Sequence, residues 1–356
     1  MMKQLSIIFF SLFFLGNPAS AQSLKAVNDV IDCGQVTFRR PVSIDYEVKN
    51  VSGGPLTITD VRTSCGCTTV SYPQTTIPAG GSATVTVSYD AKQLGHFDKQ
   101  IALYTSSAGE ALMLTLKGIV VTKVIDYAGD YPYKLGDIAA DKIDLEFDDI
   151  SQGERPQQKI HIMNTTSKAI QPVVMHLPNY LKADVSPSKL APGQSGVVTI
   201  MLDSRSLTQF GLTQTGVYLG RNPGDKVAQN KEINISAVLL PAFRNMTEKE
   251  YELAPKLHVS ETTLNLGVPG KKKKLKGDIF IMNEGKTTLE ITSLQMFTGG
   301  VEVSLPTTQI APGEVVKLHV VGNVKQLRAA RSKPRVLMIT NDPKRPKVVI
   351  DIEMEK

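Results

Sequence analysis

The chain of 356 residues contains no tryptophan and only three cysteines, all of them in its first third. An antibody-type core, with tryptophan packed on a Cys–Cys bridge, is therefore excluded. No stretch keeps a period of 3.6 residues, which argues against a helical bundle. Its five histidines are scattered without metal-ligand spacing, and neither a Gly-x-Ser-x-Gly element nor a phosphate-binding loop is present. These absences predict a protein that is not an enzyme and needs no cofactor.

The first residues are typical of a secretory signal. Lys3 precedes an apolar run from Leu5 to Leu15, and Ala19-Ser20-Ala21 supplies small residues at a cleavage position. The run has about 11 residues, whereas a transmembrane helix needs about 20. We therefore expect a signal peptide over residues 1–21. The mature chain is then exported, with no transmembrane segment of its own.

Two short elements recur three times in the same order. The first has an apolar residue two positions before an asparagine, at Val48-Lys49-Asn50, Ile162-Met163-Asn164 and Ile281-Met282-Asn283. The second is a Pro-Ala-Gly or Ala-Pro-Gly turn ending at Gly80, Gly193 and Gly313. The copies stand roughly 115 residues apart, a spacing that indicates duplicated domains instead of a solenoid.

Between these elements the residues alternate between apolar and polar, as in half-buried strands. Val85, Val87 and Tyr89 alternate with threonine and serine, and turn clusters such as Ser52-Gly53-Gly54-Pro55 separate the runs. The pattern predicts an all-β chain of three tandem immunoglobulin-like β-sandwich domains. Their expected bounds are 22–121, 136–241 and 257–356, joined by linkers 122–135 and 242–256.

The triplet Cys65-Gly66-Cys67 is the one motif with chemical character, and four interpretations stay open. In an oxidising compartment, Cys33 could form a structural disulfide with one member of the triplet. Alternatively, Cys65 and Cys67 could bind Cu(I), with His96, Cys33 or a methionine as a third ligand. A redox or thiol-transfer site is the third interpretation, and reduced thiols that serve only as packing are the fourth.

The formal charge of +6 includes one dense basic run, which we expect to be a surface loop. Its members are Lys271, Lys272, Lys273, Lys274 and Lys276. The run could be simply solvated, or it could contact an anionic envelope polymer or lipid headgroups. Nucleic acid is not an expected partner, because no aromatic residues are interleaved with the basic ones.

Several motifs together resemble a known bacterial family. They are Asn50, Pro55-Leu56-Thr57-Ile58, Ser64-Cys65-Gly66-Cys67-Thr68, Ile77-Pro78-Ala79-Gly80 and Gly95-His96-Phe97. Over about residues 30–121 the chain resembles the domain of unknown function 1573 family, a Hydin-type immunoglobulin-like family related in fold to pilus chaperones. The resemblance implies an exported protein of a Gram-negative cell envelope, in the periplasm or at the cell surface. It implies no established activity.

The leading hypothesis is a non-enzymatic binding or scaffolding protein in complex with another cell-envelope protein. Exposed sheet edges could recruit a partner strand through backbone hydrogen bonds. One alternative is a copper-binding protein that uses the Cys-Gly-Cys motif. Another is a pilus-chaperone-like periplasmic protein, although that role usually needs two domains with a basic pair in their cleft.

Overall fold

The structure is a computed structural model that describes residues 23–107, 109–124, 127–297 and 299–355. The predicted signal peptide over residues 1–21 lies outside the described residues. Strands dominate the described part of the chain, and the predicted all-β class is confirmed. None of the helices found there is long and apolar enough to cross a bilayer.

The first sandwich packs two four-stranded sheets over one apolar core. The sheets have strand orders β1-β3-β6-β5 and β2-β8-β7-β4. Tyr46, Val85 and Leu114 are fully buried between them, as the alternation predicts. The strands are β1 (Leu24–Ala26), β2 (Val30–Thr37), β3 (Val42–Asn50), β4 (Ile58–Thr63), β5 (Thr68–Ser71), β6 (Ser82–Tyr89), β7 (Gly95–Thr105) and β8 (Leu112–Val121).

The second sandwich has sheets of order β14-β15-β12-β10-β9 and β11-β17-β16-β13. Its first strand begins at Tyr133, inside the segment expected to be a linker, because Leu135 is buried in this core. The strands are β9 (Tyr133–Leu135), β10 (Ile138–Ala140), β11 (Asp144–Ser151), β12 (Gln157–Asn164), β13 (Val173–Met175), β14 (Leu181–Ser186), β15 (Ser195–Leu202), β16 (Gly211–Gly220) and β17 (Glu232–Leu240).

The third sandwich follows helix α1 (Glu248–Leu253) and has sheets of order β18-β20-β24-β22 and β19-β26-β25-β21-β23. Helix α2 (Val324–Ala329) comes directly after β24. The strands are β18 (Leu257–Val259), β19 (Thr263–Asn265), β20 (Lys274–Asn283), β21 (Leu289–Met296), β22 (Val301–Ser304), β23 (Gln309–Ile310), β24 (Val315–Asn323), β25 (Arg335–Thr340) and β26 (Lys347–Glu353).

The chain divides into two compact units, one of residues 1–126 with 186–189 and one of 127–185 with 190–356. The second unit contains both the second and the third cores. A separate apolar cluster of Leu240, Leu337 and Ile339 lies between them. The Gln295 side chain adds a two-way contact, since its Oε1 accepts from Leu212 N–H at 2.7 Å and its Nε2 donates to Leu212 O at 3.2 Å. The two sandwiches of this unit therefore share an interface with its own small core.

Candidate functional site

The repeated asparagines hold the fold together and do not form a surface site. Asn50, Asn164 and Asn283 are each fully buried, at the end of β3, β12 and β20. Asn164 Nδ2 donates to Lys168 O at 2.8 Å and to Leu190 O at 3.0 Å, and its Oδ1 accepts from Thr166 N–H. The other two asparagines make equivalent bonds, which tie the turn after the strand to the Ala-Pro-Gly element.

The glycine of each repeated turn adds a backbone hydrogen bond to the same asparagine. Gly80, Gly193 and Gly313 donate their N–H to the carbonyl oxygens of Asn50, Asn164 and Asn283. All three glycines have positive φ, at 74°, 71° and 77°, a conformation that a residue with a Cβ adopts only at a cost. The repeat that indicated tandem domains is therefore a structural constraint on each sandwich.

The cysteine triplet lies where the chain crosses from one sheet of the first sandwich to the other. Strand β4 is the edge of one sheet and β5 the edge of the second. The four residues 64–67 connect them, and a disulfide joins Cys65 to Cys67 with their Cα atoms 5.3 Å apart. Both cysteines are half-buried, and a Cβ placed on Gly66 would meet no atom within 4 Å. The bridge therefore stands at an accessible edge of the sandwich.

This pairing differs from the disulfide considered between Cys33 and a member of the triplet. Cys33 is a free thiol in β2, packed against the core of the first sandwich. The short crossover brings Cys65 and Cys67 within bonding reach of each other. Residue spacing alone could not decide between this pairing and one with Cys33. Burial, and secondarily the negative charge of Asp32, raise the pKa of the Cys33 thiol to about 12. Because the thiolate is the reactive form, Cys33 is chemically inert near neutral pH.

We expect Cys33 to resist alkylation in the folded protein at pH 9 and to react once the protein is denatured. The unfolded thiol loses its proton near its ordinary pKa, whereas the folded thiol keeps its proton to about pH 12. Above the ordinary pKa of a thiol, the unfolded state then binds fewer protons than the folded state. This thiol therefore lowers the stability of the first sandwich as pH rises through that range. Iodoacetamide labelling followed by peptide mass spectrometry measures the protection, and rapid labelling of folded protein at pH 9 would contradict it.

The proposed copper ligands do not form a ready site in this arrangement. The disulfide leaves neither Cys65 nor Cys67 as a thiolate, the form that binds Cu(I). His96 is exposed on β7, pairing in the sheet opposite Ile119. Within the described ranges, no three His, Cys, Asp or Glu side chains are placed to hold a metal ion together.

The basic run forms one wall of a groove on the third sandwich. Lys271, Lys272 and Lys273 belong to a turn, and Lys272 N–H donates to Pro269 O at 2.8 Å. The prediction of a loop over the whole run is wrong at Lys274 and Lys276. Both are in β20, which begins at Lys274. Leu275 between them is buried, and Lys274 is already paired with Asn323 of β24.

Helix α2 supplies the opposite wall and adds two basic residues, Lys325 and Arg328, that lie outside the lysine run. Val324 N–H donates to Lys273 O at 3.1 Å, which holds the helix beside the turn. Lys272, Lys273, Lys325 and Arg328 thus line one groove, and all four are exposed. The nearby Lys274 Nζ lies 3.5 Å from Glu302 Oε2 in an exposed ion pair. Lys325 and Arg328 directly follow the alternating run of β24 in the sequence. Pairing that strand with the one after the lysine run would have placed these two residues beside the lysines.

Three of the longer edge strands carry features that discourage pairing with another chain. The pairing register shifts within β2, β4 and β11, each time beside an aspartate. Strand β11 alone presents Asp144, Glu146, Asp148 and Asp149 to solvent. Bulges and charged side chains protect sheet edges from strand addition. The basic groove is therefore a stronger candidate for binding than these edges.

Two protein-family models match separate parts of the chain. Residues 24–120 match the protein family of unknown function DUF1573, and residues 255–355 match the HYDIN/CFA65/VesB-like Ig-like domain. No curated protein matches this chain. A protein of unknown function from Porphyromonas gingivalis W83 is 19% identical, with a TM-score of 0.50, over 62% of this chain and 100% of its own.

The VesB protease of Vibrio cholerae is 23% identical over 28% of this chain and 31% of its own, with a TM-score of 0.22. At 19% identity the Porphyromonas gingivalis structure supports the fold alone. The family models agree with the resemblance carried by Cys65-Gly66-Cys67 and Asn50. Residues 24–120 therefore belong to the DUF1573 family, and residues 255–355 form a HYDIN/CFA65/VesB-like Ig-like domain.

Proposed function

We propose that this protein is an exported, non-enzymatic binding and scaffolding protein of the cell envelope. Its binding surface is the basic groove between the turn at Lys271–Lys273 and helix α2. The observation that carries the proposal is the convergence of Lys272, Lys273, Lys325 and Arg328 on one exposed groove. The carbonyl of Lys273 anchors α2, so the two basic walls keep a fixed spacing.

The ligand that fits this groove is an anionic polymer of the envelope. Four cations grouped in one groove create a local positive potential that attracts an extended polyanion and steers its association. Exposed cationic side chains can pair with the repeated carboxylates or phosphates of such a polymer. Salt screens such contacts over about 8 Å at physiological ionic strength, so binding is expected to weaken steeply as salt rises.

The second and third sandwiches supply the scaffold. Their shared cluster of Leu240, Leu337 and Ile339 joins the groove-bearing sandwich firmly to its neighbour. Lys347 Nζ also lies 2.5 Å from Asp149 Oδ1 across the same interface. A polymer bound at the groove would therefore be held at a set distance from any protein bound on the second sandwich.

The proposal is tested by reversing the charge of the groove. The variant carries Lys272→Glu, Lys273→Glu, Lys325→Glu and Arg328→Glu in the full chain, and the probe is polygalacturonate at low salt. We expect affinity to fall about tenfold or more, because attraction becomes repulsion at four sites. A matched control replaces four exposed lysines elsewhere with glutamate, at Lys25, Lys49, Lys249 and Lys286.

The control has the same net charge and is expected to keep most of the affinity. Equal losses in both variants would contradict a groove-specific site. Binding of anionic phosphatidylglycerol vesicles without binding of the polymer would also contradict the proposal, and would assign the groove to lipid headgroups.

A further inference from the structure

The disulfide between Cys65 and Cys67 closes a ring of only three residues. In the loop-closure account of disulfides, the stabilisation falls as the closed loop shortens. A bridge between neighbours two positions apart restrains the unfolded chain far less than one from Cys33 to the triplet would. Its contribution to holding the first sandwich folded is therefore small.

The crossover that carries the bridge is also held by other bonds. Thr68 N–H donates to Cys65 O at 3.3 Å, Asp90 N–H donates to Cys67 O at 3.1 Å, and Ser64 N–H donates to Gln100 O at 3.0 Å. Thr63 Oγ1 adds a bond to Cys65 O at 3.0 Å. The loop conformation is thus defined by the backbone ladder on both sides, with or without an S–S bond.

The other two sandwiches make the corresponding connection without cysteine. In the second sandwich β13 leads to β14, and in the third β21 leads to β22. Both connections cross from one sheet of the sandwich to the other, as residues 64–67 do in the first; β13, β14 and β22 are edge strands, whereas β21 lies inside its sheet next to β23. Since the same fold closes without sulfur in both, the bridge in the first sandwich is not required by the architecture.

The surroundings of the bridge suit exchange chemistry. Thr68 Oγ1 lies 3.5 Å from Cys65 Sγ and 4.0 Å from Cys67 Sγ, so one hydroxyl can donate to whichever sulfur is released as a thiolate. Open space over Gly66 allows an attacking group to approach. A disulfide that an attacking thiol can reach is reduced more readily than a fully buried one.

We propose that the Cys65–Cys67 disulfide is a thiol–disulfide exchange site that accepts two electrons from a dithiol on another protein. A partner thiolate attacks one sulfur, the S–S bond breaks, and the other cysteine leaves with the electron pair as a thiolate. The partner's second thiolate then attacks its own sulfur in the mixed disulfide and displaces the remaining cysteine. The partner ends as a disulfide, while Cys65 and Cys67 end as two thiols that carry the two protons of the partner dithiol.

The exchange is tested on the full chain in buffers of reduced and oxidised glutathione. Samples are quenched with N-ethylmaleimide, and the peptide containing residues 65–67 is weighed by mass spectrometry. We expect two adducts on that peptide at reducing ratios and none at oxidising ratios, with the circular dichroism spectrum unchanged. The matched control, Cys33→Ser, should titrate at the same ratio because Cys33 takes no part.

A second variant, Cys67→Ser, leaves Cys65 without the neighbouring thiol that displaces glutathione when the Cys65–Cys67 bond re-forms. It should accumulate a stable glutathione adduct on Cys65, which the wild-type chain releases. A bond that is reduced only in denaturant would overturn the proposal and make the disulfide structural. Loss of the β-sheet spectrum on reduction would overturn it as well.

Discussion

Replacing Asn50 by alanine is expected to lower the free energy of unfolding of the first sandwich by about 3 kcal/mol or more. The fully buried Asn50 Nδ2 donates to Ile77 O at 3.0 Å and to Pro78 O at 3.1 Å, and Oδ1 accepts from Ser52 N–H at 2.9 Å. Alanine leaves these buried groups without a hydrogen-bond partner. The free energy that each group lost on leaving water is then no longer offset. Hydrogen exchange of the full chain, followed by peptide, measures the loss within the first sandwich.

Asn234→Ala is the matched control, since Asn234 Nδ2 donates to Asp144 Oδ1 at an exposed position. That substitution should change stability by about 0.5 kcal/mol or less. Protection that is unchanged in β3 and β6 of the Asn50→Ala chain would show that the repeated asparagine does not hold the two elements together.

Replacing Leu337 by aspartate is expected to separate the unfolding of the second and third sandwiches. Leu337 is 1% exposed and contributes to the cluster between the two cores, not to the main core of the third. A carboxylate there would be buried without a partner or would force the interface open, at a cost of about 3 kcal/mol or more. Calorimetry should show one shared transition for the second unit of the wild-type chain and two in the variant.

The control is Leu94→Asp, because Leu94 is a leucine of the first sandwich that is 58% exposed. It should leave the melting profile of the second unit unchanged. A Leu337→Asp chain that keeps the shared transition at the wild-type temperature would show that the interface does not couple the two sandwiches.

The sandwich strands could be predicted from the sequence because one face of each is buried. Val85, Val87 and Tyr89 alternate with polar residues, and the structure buries all three. Strand β25 differs from these strands, because its run from Val336 to Ile339 is apolar without alternation. Such a run signals burial on both faces. It could have revealed the interface, since Leu337 and Ile339 face the second sandwich while Val336 and Met338 face their own core.

The candidate sites were predicted less completely, because they depend on contacts between distant residues. Spacing identified Cys65 and Cys67 but could not choose their pairing, which depends on how β4 crosses to β5. The lysine run was visible, whereas Lys325 and Arg328 joined it only through the pairing of β20 with β24. Sequence patterns report local periodicity well. Predicting a groove built from two distant segments also requires the register of the sheet that brings them together.

Export into an oxidising envelope is checked by intact-mass spectrometry of protein purified from its own cells. The sample is alkylated under native conditions, then again after denaturation, and again after reduction. We expect a mature chain that begins at Gln22, one thiol that reacts only on denaturation and two more that react only after reduction. A chain that retains residues 1–21 and presents three reactive thiols before reduction would contradict it.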